Sequence, residues 1–261
     1  MISRSLSAYN TATQSDNKIH DDETARKFGF SGGLVPGVEA YGYLSWGPVS
    51  AWGLDWLARG HVETRFSKPT YDGDTMTVEF DEDTGEGRLR NQAGDVVSTA
   101  TATLPDSAPA APELAAYPVA DLPATRPAAS AESLAAGKVL GTVRINFPDE
   151  TAETYLDDVR ETLSLYSDEH VAHPGWIARL GNQALFDNVV LGPWIHVGSR
   201  IQHFAPVYAG AELEVRTKAA KEYEKSGHRF TELDIAVFDR GTPVASIWHT
   251  AIYEPRQVTA G

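Results

Sequence analysis

The chain contains no cysteine among its 261 residues. That absence removes disulfides, thiolate chemistry and cysteine-based zinc sites together. The glycine motifs that cradle phosphates, GxxxxGKS/T and GxGxxG, are missing, and so is the GxSxG elbow of α/β-type serine hydrolases. No uncharged apolar run approaches the length that a bilayer span needs. Basic residues are in deficit: 22 Lys and Arg stand against 36 Asp and Glu, for a formal net charge of −14. So acidic a chain is a poor partner for nucleic acid or for an anionic membrane. The stretch from Met1 to Asn17 is polar and lacks the apolar core of a secretory leader, so the expectation is a cytoplasmic protein. What remains is ordinary for a globular chain, with 42% hydrophobic and 22% charged residues, enough for one large domain or two small ones.

Along the chain, residues 4–11 read as a first strand. A polar turn follows. Residues 21–28 place acids first and bases last, which suits a helix dipole, and Gly29 ends them. Residues 31–37 are loop by their glycines. From Val38 the apolar spacing is helical, and Val49, Trp52 and Trp56 continue that face beyond Pro48. The expectation is one helix kinked at Pro48, or two abutting helices, ending before Gly60. Residues 61–66 and 75–81 alternate as strands do, with a Gly-bearing turn between them. Residues 88–91 and 96–104 form a hairpin about the turn 92–95. Residues 105–136 are rich in Pro and Ala without periodicity and read as a connector between two units.

The second half repeats landmarks of the first. Pro69-x-Tyr71-x-Gly73 returns as Pro206-x-Tyr208-x-Gly210, 137 positions later, and Pro36-Gly37 returns as Pro174-Gly175, 138 later. Gly94-x-x-Val97 returns as Gly241-x-x-Val244 at 147, an excess of about ten that residues 218–230 can hold. A helix wrapped by an antiparallel sheet, written twice, is the double-hotdog arrangement, an α+β fold in which each copy covers the other's apolar surface. The division is 1–104, connector 105–136, and 137–256.

The stretch Ser15-Asp16-Asn17-Lys18-Ile19-His20, followed by Gly32-Gly33-Leu34-Val35-Pro36-Gly37, delivers an amide and an imidazole to a helix N-terminus. Free N–H groups and the helix dipole favour developing negative charge there. Each residue also has a plainer reading. His20 can cap the next helix, Asn17 can be a turn residue, and Gly37 can simply be flexible. The stretch resembles the signature of the MaoC-like (R)-specific enoyl-CoA hydratases: Asp, any residue, Asn, Pro, an aliphatic residue, His, then a Gly-rich approach to the central helix. Asn17, Ile19, His20 and Pro36-Gly37 match. Lys18 replaces the Pro, and Ser15 stands where the catalytic Asp belongs, with Asp16 one position late.

The resemblance implies an acyl-CoA tunnel between the halves and reversible hydration of a 2-enoyl thioester. His20, Asp16, Asn17 and Gly37 would be catalytic, with Ser15, Pro36, Val38 and Tyr41 against the substrate. It implies no metal or redox cofactor. CoA or an acyl carrier comes with the substrate, and a homodimer of such chains is compatible with it. Thioester hydrolysis and non-catalytic acyl binding are the alternatives. Counting back from Pro174 by the 16 positions that separate His20 from Pro36 lands on Asp158, so one active site is expected. Asp168, His170 and His173 read as a polar loop lacking third and fourth metal ligands. The aromatics Tyr41, Tyr43, Trp46, Trp52 and Trp56, with Trp176 and Phe186 opposite, are core first, although some can wall an acyl pocket. Lys68, Arg88 and Arg90 are CoA-phosphate candidates, with a solvated strand face the better reading.

Overall fold

A computed structural model describes residues 1–256. Among them, ten strands form a single continuous sheet in the order β1-β3-β4-β5-β2-β7-β10-β9-β8-β6. The first copy supplies β1 (Ile2–Ser7), β2 (His61–Phe66), β3 (Thr75–Phe80), β4 (Glu86–Arg90) and β5 (Val96–Thr103). The second supplies β6 (Val143–Phe147), β7 (Ile195–His203), β8 (Ala211–Lys225), β9 (His228–Asp239) and β10 (Thr242–Glu254). The expected pair of sheets is therefore one sheet, joined where β2 meets β7. In that antiparallel seam Glu63 lies opposite Arg200, a pair separated by the same 137 positions as the two Pro-x-Tyr-x-Gly turns. A residue that faces its own repeat lies on the pseudo-twofold axis.

The copies agree in detail. Leu34 bridges Tyr71 as Val171 bridges Tyr208, and Val35 N–H donates to Thr70 O (2.8 Å) as Ala172 N–H donates to Val207 O (2.8 Å). The extra length of the second copy lies in the β8–β9 hairpin. It closes on Ser226 and Gly227, both with positive φ (56° and 77°), a two-residue turn matched to strand twist.

Helix α1 (Asp22–Lys27) is capped by Asp21, whose carboxylate accepts from Thr24 N–H. Helix α2 (Gly37–Arg59) is the central helix of the first copy; α3 (Asp149–Asp158) and α4 (Leu165–Glu169) precede its counterpart α5 (Pro174–Phe186). α2 and α5 pack on each other and on the sheet. Tyr41, Tyr43, Leu44 and Trp56 of α2 are fully buried, and Trp176, Leu180 and Leu185 of α5 meet the same core.

Three expectations need correction. The first strand spans Ile2–Ser7 instead of 4–11, because beyond Ala8 the backbone leaves the ladder and Tyr9 N–H donates to the Tyr43 hydroxyl (3.0 Å). The break in α2 lies at Gly53 (φ 55°, ψ −139°), a conformation a residue with a Cβ resists, and Pro48 sits inside continuous helix. Residues 165–173 are no polar loop: α4 occupies 165–169, and Val171, Ala172 and His173 are buried.

The connector lies along the second copy. Tyr117 donates to Asp234 (2.8 Å), Arg216 donates to Tyr117 O (2.9 Å), and Ala128 pairs with Val190.

Candidate active site

The site is assembled from short-range chemistry in the first copy. Asn17 caps a single 3-10 turn (Lys18–His20), its side-chain oxygen accepting from Ile19 N–H. Ile19 anchors the turn, being 1% exposed. His20 follows with its carbonyl held by Asn10 Nδ2 (3.0 Å). Gly33 passes so close to that carbonyl that a Cβ would collide with it, which explains the glycine at that position. The ring of His20 lies against Leu34 O through Nδ1 (2.7 Å). A carbonyl only accepts, so Nδ1 carries the proton and Nε2 keeps its lone pair. Burial pushes the imidazole below its ordinary pKa, against the raising effect of that carbonyl, so it is neutral at pH 7.

Asn17 also reaches across to the second copy. Its Nδ2 donates to Trp194 O (3.0 Å) and lies 3.2 Å from His20 Nε2, while its Oδ1 accepts from Trp194 N–H (3.1 Å). One amide thus ties the Lys18–His20 turn to the backbone leading into β7. Gly37 opens α2, whose N-terminus has no side-chain cap, leaving its first N–H groups without an intrahelical partner.

A cavity of about 240 Å³ lies between the copies, walled by Asn17, His20, Pro36 and Gly37 from the first and by Asn182, Trp194 and His196 from the second. Its aromatic walls are Phe30, Phe66 and Trp194, not the tryptophans of α2. A second cavity of about 660 Å³ shares Asn17, His20, Pro36, Asn182 and Trp194, and adds Ser15, Asp16, Val38 and Glu39.

The structure therefore brings His20, Asn17, Pro36 and Gly37 together and sets Ser15, Asp16 and Val38 around the second cavity. Asp16 is exposed, and no hydrogen bond of its carboxylate is found among the described residues. Ser15 Oγ accepts from Asn17 N–H (3.1 Å). Tyr41 lines neither cavity; it is a core residue, 1% exposed. Lys68, Arg88 and Arg90 pair with Asp95 (3.2 Å), Glu86 (2.6 Å) and Glu79 (2.9 Å) on the surface. Asp168, His170 and His173 take separate partners: Ser164, Asp149 and Glu161.

The second-copy wall is what sequence reading missed. Asn182, Trp194 and His196 have no counterpart motif in the first copy, so no repeat offset points to them. The available signal was Gly198 inside an otherwise regular strand, a mark of a bulge or a close backbone approach. Glu39 was missed too. It is 1% exposed and accepts from Arg179 (2.9 and 2.7 Å), Thr11 (2.9 Å) and the Tyr155 hydroxyl (3.0 Å), joining the copies through a charge pair.

The fold and this inter-copy cavity define a double-hotdog protein. Its structural neighbours include proteins described as MaoC-like dehydratases. A protein described as a MaoC domain dehydratase, from Chloroflexus aurantiacus, aligns over 97% of this chain and 93% of its own at 12% identity and TM-score 0.63. A MaoC-like dehydratase covers 97% of both chains at 13% identity and TM-score 0.57. A Mycobacterium tuberculosis protein described as having a double hotdog fold covers 97% of this chain and 96% of its own at 15% identity and TM-score 0.59. At such identities the likeness establishes the fold. No protein-family model and no curated protein matches the sequence.

Proposed function

We propose that the protein adds water to, or removes it from, a 2-enoyl or 3-hydroxyacyl thioester. The observation that carries this reading is His20, its Nδ1 held by Leu34 O, lining the same cavity as Gly37 at the uncapped N-terminus of α2. On hydration, His20 Nε2 takes a proton from water as the water oxygen bonds to C3. The electron pair of the C2–C3 double bond moves onto the thioester, and Gly37 N–H holds the enolate oxygen. The imidazolium then returns its proton to C2. Asn17 Nδ2 keeps Trp194 O and yields its longer contact, to Nε2, to the water. Asp16 lines the second cavity but is exposed and has no hydrogen-bond partner among the described residues, and it takes no part in this step.

Hydration is favoured over thioester hydrolysis by Glu39. A thioesterase of this fold, by resemblance, uses a carboxylate near the helix N-terminus. Here the acid in the first turn of α2 has its oxygens committed to Arg179, Thr11 and Tyr155. Purified protein is mixed with crotonyl-CoA, following loss of enoyl absorbance in one arm and thiol release in the other. Absorbance loss without thiol release supports the reading. Thiol release alone overturns it in favour of a thioesterase, and tight binding without either in favour of an acyl-binding protein.

A further inference from the structure

His196 belongs to the second copy, and the motif of the first does not account for it. In β7 the register skips Val197: Thr250 faces Gly198 and Ala251 faces His196. This bulge breaks the two-residue alternation, so that His196 and Ser199, three positions apart, are both buried on the inner face. Ring Nε2 then lies 2.8 Å from Ser199 Oγ and 3.1 Å from Gly198 O. The ring stacks on His249, with centroids 4.2 Å apart and planes at 22°, and meets the edge of Phe66 at 4.8 Å. Four neighbours thus fix a side chain that is 6% exposed.

Nδ1 of this ring has no hydrogen-bond partner among the described residues. It stands beside Gly37: a Cβ there would be 3.1 Å from it. Two proton assignments exist. With the proton on Nε2, the ring donates to Gly198 O and the buried Ser199 hydroxyl finds no acceptor. With Ser199 donating to Nε2 over the shorter contact, the hydroxyl is satisfied and the proton sits on Nδ1, next to the helix N-terminus. Burial, with His249 adding to it, holds the imidazole well below its ordinary pKa, so the ring stays neutral in either assignment. A thioester oxygen seated at Gly37 then completes the second assignment, because it accepts from Nδ1–H.

We infer that His196 is a catalytic residue of the second copy that completes the oxyanion site, its Nδ1–H donating with Gly37 N–H to the thioester oxygen. The inference rests on the thioester reading proposed above. Neutral imidazole is an effective electrophile because it donates without carrying charge into the site. Ser199 is a positioning residue that sets which nitrogen bears the proton. The glycine at 37 follows, since any side chain there would press on the His196 ring.

The test reads carbonyl polarisation without turnover. Butyryl-CoA labelled with 13C at the thioester carbonyl has no double bond to hydrate, and its C=O stretch is followed by infrared difference spectroscopy on the full chain. Wild-type protein should move the stretch to lower frequency. H196F should lose most of that shift, H196Q should restore part of it through an amide N–H, and H20A should keep it. S199A, which removes nothing from the cavity wall, should weaken the shift and move the His196 proton to Nε2 in 15N spectra, so the inference stays testable if H196F does not fold. With crotonyl-CoA, H196F should lower kcat by about 100- to 1000-fold, with a smaller change in KM. A wild-type shift retained in H196F and S199A overturns the role of His196 and leaves the thioester reading standing. Failure of butyryl-CoA to bind wild-type protein overturns both.

Discussion

Replacing Asn17 with alanine tests whether this residue is catalytic decoration or the pin between the two copies. Its amide satisfies both the N–H and the C=O of Trp194 (3.1 and 3.0 Å), a residue only 6% exposed. Truncation leaves both backbone groups without their side-chain partner. An orphaned buried polar group costs about 1–3 kcal/mol, so two would cost about 2–6 kcal/mol. Both cavities touch Asn17 and Trp194, so water reaches the vacated space and the lower end applies, about 2–3 kcal/mol. Urea unfolding should show a lower midpoint at unchanged slope, and the Trp194 amide should exchange with solvent sooner than its neighbours in β7. Asn17→Asp should do no better, because it keeps the acceptor for Trp194 N–H but sets a carboxylate against Trp194 O. Asn17→Ala with a stability change below about 0.5 kcal/mol, the range of an ordinary surface substitution, would refute the reasoning.

His20→Ala should leave the chain folded and reduce hydration of crotonyl-CoA by at least about 100-fold; a mild loss of activity with a large loss of stability, measured by the same urea assay, would make His20 a loop-holding residue instead. Asp16→Asn should keep activity within about twofold, since the carboxylate is exposed and has no partner among the described residues, and a loss like that of His20→Ala would reinstate Asp16 as the acid. Stability should fall from pH 7 to pH 5, because burial lowers His203 to about 4 and His249 to about 3 from an ordinary 6.5. The unfolded chain then binds more protons than the folded one, and each ring costs about 2 kcal/mol at pH 5; equal urea midpoints at the two pH values would contradict this.

The fold was legible because both copies carry their turns in the sequence. A Pro-x-Tyr-x-Gly turn and a Pro-Gly helix start are local features, and their constant spacing exposes the duplication without any knowledge of contacts. The single sheet was not legible. The β2–β7 seam is a tertiary choice between two strands that each alternate in the ordinary way, and nothing in residues 61–66 marks them for a partner so far away. The break in α2 was misplaced for a related reason. Proline suggests a kink by rule, whereas the break falls at Gly53, where the lack of a Cβ permits positive φ. At the site, the half written on one segment, Asn17 through Gly37, could be read. Trp194, Asn182 and His196 reach the same cavity from β7, its approach and α5, and only the folded chain brings them to His20.

The two copies differ at the helix N-terminus where the site is proposed, which fits a duplicated sheet with one site. α5 begins as α2 does, with Pro174-Gly175 for Pro36-Gly37, and so presents a second helix N-terminus. That one is closed. His173 Nδ1 accepts from Gly175 N–H (3.1 Å), and its Nε2 then carries the proton and donates to Glu161 (3.1 Å), both side chains being 1% exposed. Arg4 meets the same carboxylate from β1 (3.3 Å), and a Cβ at Gly175 would collide with the Tyr155 hydroxyl. The N–H that is proposed to hold an oxyanion at Gly37 therefore has its counterpart at Gly175 already engaged, by an imidazole in a filled aromatic pocket where Tyr155 and Tyr166 pack on His173. The position matching His20 in the count from the helix is Asp158; it too lines the larger cavity, but it carries no imidazole and its carboxylate is paired with Arg179 (3.3 Å). The second copy's α5 supplies Arg179 to hold Glu39 of α2, and its β7 supplies the wall opposite His20. The first copy holds the turn that bears His20, the acid–base group proposed above, and the second holds that turn in place through Asn17 and Trp194.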